Sequence, residues 1–201
     1  MMNNIDKIYT KNVPAFSKAY FEYLGQVLQS INPEEINAFV QILLKSRESG
    51  SSIYFIGNGG SAATASHFAN DIAIGTNSYS KGFRAISLAD NLPIITAIGN
   101  DFGYDEIFSR QLQVLGKKGD VLVGISASGN SPNLVKAFEY AKSAGIQTVA
   151  ITAFNGGKLK EMTDYSLHVP TGMKEYGPAE DAHMILDHLV SAYLMRYIAA
   201  P

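Results

Sequence analysis

Two short stretches of small polar residues could bind a phosphate group. The first is Gly57-Asn58-Gly59-Gly60-Ser61, and the second runs from 126 to 131 as Ser-Ala-Ser-Gly-Asn-Ser. Glycines let the backbone approach a ligand closely, while serine hydroxyls and free backbone N–H groups donate hydrogen bonds. A helix that begins directly after such a loop adds partial positive charge. Either loop alone could be an ordinary turn, but the two together predict a site for a phosphate monoester.

Carboxylates and imidazoles recur at helical spacing in two other places. His67 and Asp71 are four residues apart, and Glu180 and His188 are eight apart. At these spacings the two members of each pair lie on one broad side of a helix. Such groups can transfer protons as base and acid, or hold a divalent transition metal such as zinc.

Helical geometry leaves other residues of the last segment open as candidates. His183 and Asp187 also project within about 60° of Glu180 on a helix that turns about 100° per residue. Any of these polar side chains could instead be a solvated or interface residue without a chemical role.

Short apolar runs alternate along the chain with segments long enough to form helices. The runs lie at 53–56, 83–88, 121–125, 148–151 and 166–169 and are typical of strands buried on both faces. Alternating strands and helices require crossover connections, which predict an α/β fold of three layers with a mostly parallel sheet in the middle. The loops that follow the strands then gather at one edge of the sheet, where ligands bind.

The spacing of apolar residues predicts helices at both ends of the chain. Two amphipathic helices, at 13–31 and 34–45, precede the first strand, and a last helix runs from 177 to about 198. The helix at 13–31 carries more apolar surface than a small monomer should expose, which favours an oligomer.

Composition excludes several classes of protein. The 201 residues, 46% hydrophobic and 17% charged, predict one folded domain over 1–201. A net charge of -2 gives no reason to bind nucleic acid, and the absence of cysteine excludes disulfides and thiolate chemistry. We expect a cytoplasmic protein, because neither a signal sequence nor a membrane-spanning run is recognisable.

A dinucleotide-dependent oxidoreductase is a competing interpretation of the first loop. Gly57, Gly59 and Ala62 satisfy the loose dinucleotide pattern, with Asp90 as a possible ribose partner. However, Asp90 lies about thirty residues beyond the glycines rather than about twenty. This interpretation is therefore disfavoured.

Four longer stretches resemble the sugar isomerase domain family of phosphosugar isomerases and phosphosugar-binding proteins. They are GNGGSAATASHFAND (57–71), TAIGNDFGYDEIFSRQL (96–112), GDVLVGISASGNSPNLVKAF (119–138) and NGGKLKEMTDYSLHVP (155–170), with a fainter match at 180–189. The resemblance implies an aldose–ketose isomerase of a phosphosugar, with sedoheptulose 7-phosphate or a related sugar as substrate. Its alternative is a member without catalysis that binds a phosphosugar or a protein such as a replication initiator.

The resemblance also implies an architecture and a substrate site. The fold would be flavodoxin-like, with a five-stranded parallel sheet in a core at 51–201 and a helical segment at 1–50 that joins subunits in a homotetramer. The residues implied to contact the substrate share small polar or acidic side chains in these loops: Asn58, Gly59, Ser61, Asp101, Ser126, Ser128 and Ser131.

The resemblance finally assigns roles in catalysis. Asp71 would be the base and His188 the second proton-transfer group, and with His67 and Glu180 they would hold a zinc ion. Three departures from the heptose phosphate members stand out: Asp71 replaces a glutamate, Glu180 replaces a glutamine, and the segment 72–76 lacks the usual arginine. Since Ala127 also removes one hydroxyl from the second loop, a related sugar remains open as the substrate. The retained His188 favours an enzyme over the alternative without catalysis.

Overall fold

Helices precede the first strand. The computed structural model describes residues 3–77 and 80–199, and within them a short α1 (Asn4–Ile8) is followed by α2 (Val13–Gln29) and α3 (Pro33–Ser49). Side chains of Asn12 and Asn32 accept hydrogen bonds from backbone N–H groups in the first turns of α2 and α3, which fixes where these helices begin. Both helices predicted ahead of the sheet are therefore present, with slightly different ends.

Five strands form one parallel sheet. They are β1 (Ser52–Gly57), β2 (Arg84–Ser87), β3 (Val121–Ser126), β4 (Gln147–Thr152) and β5 (Tyr165–His168). The spatial order is β2-β1-β3-β4-β5, and every neighbouring pair is parallel. The predicted α/β fold with a five-stranded parallel sheet is thus confirmed.

Helices cover both faces of this sheet. The connections contain α4 (Gly60–Asn70), α5 (Leu92–Phe102), α6 (Ser109–Leu115), α7 (Pro132–Ser143) and α8 (Gly157–Met162), and the last helix is α9 (Tyr176–Ala199). Along β1, Phe55 packs with α3, α4 and α9 on one face, whereas Ile56 packs with α6, α7 and α8 on the other. This alternation gives the three layers expected of strands that are buried on both faces.

The strand order places a crevice between β1 and β3. The chain leaves β1 toward β2 on one side and later enters β3 on the other side, so the connections that follow β1 and β3 diverge. Ligands of open α/β sheets bind at such a point, outside the carboxyl ends of the strands. Both predicted phosphate loops lie here, because they directly follow β1 and β3. Within the described residues, no helix has the length and apolar character needed to span a membrane.

Candidate active site

A polar cleft lies between the two loops. Its volume is about 170 Å³, and it is lined mainly by hydroxyl, amide and carboxyl side chains from the ends of β1 and β3 and the start of α9: Asn58, Ser61, Ile125, Ser126, Ala127, Ser128, Ser131, Tyr176 and Glu180. All four serines predicted to contact phosphate therefore line one cleft.

Two helices begin at this cleft. Ser61 is the second residue of α4, and Ser131 is the residue immediately before α7. The first backbone N–H groups of a helix have no partner within it, and the helix dipole favours an anion at that end. Two such ends beside several hydroxyls form a suitable site for a phosphate dianion.

Hydrogen bonds from backbone and side-chain groups hold the loop after β3 in shape. The Gly129 N–H donates to Ser126 Oγ at 3.1 Å, and Asn130 Nδ2 donates to the Ser128 carbonyl at 2.9 Å. The Gly129 carbonyl accepts from the Leu159 N–H at 3.0 Å, which ties the loop to α8. The loop is therefore ordered before any ligand arrives, which reduces the entropy lost on binding.

Gly129 is required by this loop geometry, and we expect Gly129→Ala to destabilise the protein by at least about 2 kcal/mol. Its φ is +63°, and a Cβ atom there would lie 1.9 Å from the Gly156 carbonyl oxygen. Gly25→Ala in α2 is the control, since no atom lies within 4 Å of a Cβ at that position. Urea unfolding of the two variants measures the difference. Equal midpoints would show that the loop can relax around the added methyl group.

Asn58 lines the cleft and is also held by hydrogen bonds to neighbouring side chains. Its Nδ2 donates to Asn133 Oδ1 and its Oδ1 accepts from Asn133 Nδ2, both at 2.9 Å, and the Tyr104 hydroxyl also donates to Asn58 Oδ1 at 2.9 Å. Asn133 and Tyr104 were missed from the sequence, where nothing marks them as partners of Asn58. The amide pair joins the β1 loop to α7.

Glu180 lies at the cleft, above the start of α4. A Cβ atom on Gly60 would lie 2.2 Å from Glu180 Oε2, so the carboxyl group occupies the space beside the first turn of α4. A carboxylate at a helix N-terminus is electrostatically favourable. Glu180 was predicted as a metal ligand, but the structure places its carboxyl group with the phosphate loops.

A second cluster lies further along α4 and α9. His67, Asp71, Asp187 and His188 each offer one ligand atom, and these atoms all lie within 4.8 Å of one another. The structure therefore brings together three of the predicted ligands, His67, Asp71 and His188. The fourth member of the cluster is Asp187, which helical geometry had left open as an alternative to Glu180.

Two distances in this cluster match the ligand separations of a tetrahedral metal ion. His67 Nε2 lies 3.3 Å from His188 Nε2 and 3.4 Å from Asp71 Oδ2. Ligand bonds of about 2.0–2.1 Å at tetrahedral angles separate neighbouring ligand atoms by about 3.3–3.4 Å. The donor set of two imidazoles and two carboxylates is one that zinc accepts.

Asp187 is the buried member of the cluster. It is 0% exposed, and neither of its carboxyl oxygens has a hydrogen-bond partner among the described residues. Burial, reinforced by the nearby Asp71 carboxylate, raises the pKa of Asp187 to about 8. From the sequence, helical geometry left Asp187 open as a candidate but did not prefer it to Glu180.

The cleft and the cluster are separated along two parallel helices. Gly60, which is beside Glu180, is seven residues before His67, and Glu180 is eight residues before His188. At about 1.5 Å per residue, the two groups of side chains are about 10–12 Å apart along α4 and α9. A sugar chain whose phosphate occupies the cleft could therefore extend toward the cluster.

The remaining predicted contacts do not line the cleft. Asp101 is exposed near the end of α5 and accepts a hydrogen bond from Asn100 Nδ2 at 2.8 Å. Gly59 is the exposed residue that caps α4, with a φ of +54°. A role for either in binding the sugar stays a prediction.

Comparisons with known proteins agree with this geometry. A family model described as SIS domain matches residues 19–153. A phosphoheptose isomerase from Helicobacter pylori strain P12 is 39% identical over 181 residues, which are 90% of this chain and 93% of that protein. The solved phosphoheptose isomerase from Neisseria gonorrhoeae superimposes with a TM-score of 0.82 at 32% identity, covering 91% of this chain and 98% of that one. That from Francisella tularensis gives a TM-score of 0.80 at 27% identity, covering 97% and 100%. The chain therefore belongs to the SIS domain family and, within it, to the phosphoheptose isomerases.

Proposed function

We propose that this protein is an aldose–ketose isomerase that interconverts sedoheptulose 7-phosphate and the corresponding aldoheptose 7-phosphate. The observation that carries the proposal is the pairing of a phosphate cleft with a carboxylate and imidazole cluster about 10–12 Å away along the same two helices. A seven-carbon sugar with its phosphate at one end and its carbonyl group near the other spans a comparable distance.

The side chains of the cluster supply the base and the acid that isomerisation requires. The reaction moves one proton between C1 and C2 and another between their oxygens, through an enediol. In our proposal the Asp71 carboxylate takes the C1 proton of the ketose while His188 donates a proton to O2. Asp71 then returns its proton to C2, and His188 takes the proton from O1. The serines of the cleft hold the phosphate and so fix which carbons face Asp71.

A divalent ion such as zinc fits the same cluster. His67, Asp71 and His188 would hold it, and it would polarise the carbonyl oxygen of the sugar in place of a proton from His188, whose metal-bound imidazole would be neutral. The fit rests on the two separations of 3.3 and 3.4 Å and on the unpartnered carboxyl group of Asp187.

We also propose that the protein is a homotetramer, with the segment 1–50 contributing to contacts between subunits. None of the residues of α5, all of which the structure describes, is buried, although Leu92, Ile94 and Phe102 are large and apolar. On α2, Phe21 is 69% exposed. Such apolar faces favour burial against another copy of the chain.

We expect light scattering at micromolar concentration to give four times the 21.7 kDa chain mass. Ile94→Lys should shift the particle toward smaller species, because a charge would be buried in the contact. Gln113→Lys, on α6, is the control, because it adds the same charge at an exposed position that is already polar. A wild-type particle of one chain mass would contradict the proposed tetramer.

Measuring the conversion of the sugar phosphate tests the proposed isomerase activity directly. Phosphorus NMR of purified protein with sedoheptulose 7-phosphate should show a second sugar phosphate that approaches an equilibrium ratio. Fructose 6-phosphate, which is one carbon shorter, should react more slowly, because its carbonyl group cannot reach the cluster as well. Tight binding of both sugars without conversion of either would favour the alternative of a phosphosugar-binding protein.

A further inference from the structure

We infer that Asp187, rather than Glu180, is the fourth ligand of a divalent metal ion held by His67, Asp71 and His188. The role of this ion in catalysis rests on the proposed isomerase function, whereas the binding of the ion does not. Its evidence is the placement of the two carboxyl groups on α9.

Asp187 is a buried carboxyl group that lacks a partner. It is 0% exposed, and both of its oxygens are without a hydrogen bond among residues 3–77 and 80–199. Buried polar groups normally have partners, and a buried carboxylate requires a compensating charge or a metal ion. Because its ligand atom lies within 4.8 Å of those of His67, Asp71 and His188, a cation among these four groups would meet that requirement.

Glu180 is held away from this position. Its carboxyl group lies against Gly60 at the start of α4, whereas His67 is seven residues further along the same helix. That spacing corresponds to about 10 Å of helix, and the Glu180 carboxyl group is not among the ligand atoms that cluster within 4.8 Å of one another. Glu180 instead contributes to the wall of the phosphate cleft.

The charge of the resulting site is consistent with a divalent ion. Two neutral imidazoles and the carboxylates of Asp71 and Asp187 together carry a charge of about −2 when a metal is bound. Asp71 is one methylene shorter than a glutamate, and a second aspartate from α9 supplies another oxygen ligand in the same cluster. Imidazole nitrogens with carboxylate oxygens are the donor set of zinc and of similar divalent transition ions.

Metal affinity distinguishes the two assignments without any measurement of turnover. Zn²⁺ binding would be measured by competition with a chromophoric chelator for wild type, Asp187→Asn and Glu180→Gln, three proteins that differ by single carboxyl groups on one helix. We expect Asp187→Asn to lose at least about 100-fold in affinity, because an amide is a poor zinc ligand, and Glu180→Gln to stay within about threefold of wild type. Co²⁺ substitution should give a visible spectrum that changes in Asp187→Asn and not in Glu180→Gln.

Thermal unfolding separates loss of the metal from loss of the fold. Without metal, Asp187→Asn should melt at or above the wild-type temperature, since it removes an unpartnered buried carboxyl group. With saturating Zn²⁺, wild type and Glu180→Gln should gain stability while Asp187→Asn should not. Asp187→Leu, which removes the polar group altogether, serves the same purpose if the asparagine variant does not fold.

Three results would overturn the inference. They are wild-type affinity for Zn²⁺ in Asp187→Asn, a large loss of affinity in Glu180→Gln, and no Zn²⁺ binding by wild type below about 1 mM. Failure of the proposed function is distinguishable, because it would appear as absent turnover in a wild-type protein that binds Zn²⁺ through Asp187 as expected.

Discussion

We expect His188→Ala and Asp71→Asn each to lower kcat/KM for sedoheptulose 7-phosphate by about 10²- to 10⁴-fold, the range typical of losing a positioned acid or base. Asp71→Asn keeps the shape of the side chain and removes only its ability to accept a proton. His188→Ala removes the imidazole whose Nε2 lies 3.3 Å from His67 Nε2. Both residues belong to the surface-accessible part of the cluster, so neither change should unfold the protein.

Steady-state kinetics and calorimetry together check this expectation. Because the phosphate is held at the other end of α4, sugar affinity should change far less than turnover in both variants. His168→Asn is a matched control, since His168 lies on β5 with its Nδ1 3.0 Å from Thr152 Oγ1 and belongs to neither the cleft nor the cluster. Turnover within threefold of wild type in both Asp71→Asn and His188→Ala would show that other groups transfer the protons.

The second large effect concerns the phosphate cleft. The double variant Ser128→Ala/Ser131→Ala should weaken sugar phosphate binding by about 10²- to 10⁴-fold, since each hydrogen bond to a charged group is worth about 1.5–3 kcal/mol. Both hydroxyls line the cleft beside the start of α7. Neither side chain caps α7 by a hydrogen bond, so the helix should be retained.

Isothermal calorimetry with a sugar phosphate measures the loss. Ser143→Ala at the far end of α7 is the control, because its hydroxyl is exposed and donates to the Tyr140 carbonyl. The unphosphorylated sugar should bind wild type and the double variant equally weakly. An affinity for the phosphate ester that does not change in the double variant would mean that the phosphate lies elsewhere.

The order of strands and helices could be predicted because it depends on the local pattern of apolar residues. Continuous apolar runs such as 53–56 and 121–125 can be buried on both faces only in a covered parallel sheet. Glycine and serine residues directly after two of those runs then predicted the position of the cleft, since the carboxyl ends of neighbouring strands lie together. Each of these inferences uses residues close in sequence.

The details of the site could not be predicted because they depend on contacts distant in sequence. Whether Glu180 or Asp187 lies beside His67 is decided by how α9 packs against α4, and helical periodicity allows both. The pairing of Asn58 with Asn133 likewise joins the loop after β1 to a residue of α7 that is 75 positions away. No spacing rule relates such residues before the sheet order is known.

The structure also shows how Asp71, which replaces a glutamate of related sequences, reaches His67. Asp71 is the first residue of a π-helical turn (Asp71–Gly75) that continues α4. Such turns are frequent at functional sites. Despite its shorter side chain, Asp71 Oδ2 lies 3.4 Å from His67 Nε2.

In our proposal, Asp71 and His188 move protons on a phosphosugar. Conversion of sedoheptulose 7-phosphate in D₂O, followed by proton NMR, shows whether they do. A base that exchanges its proton with solvent should place deuterium at C2 of the aldose product and at C1 of the recovered ketose, and Asp71→Asn should abolish both. Conversion without any deuterium in either sugar, or undiminished incorporation in Asp71→Asn, would contradict the claim.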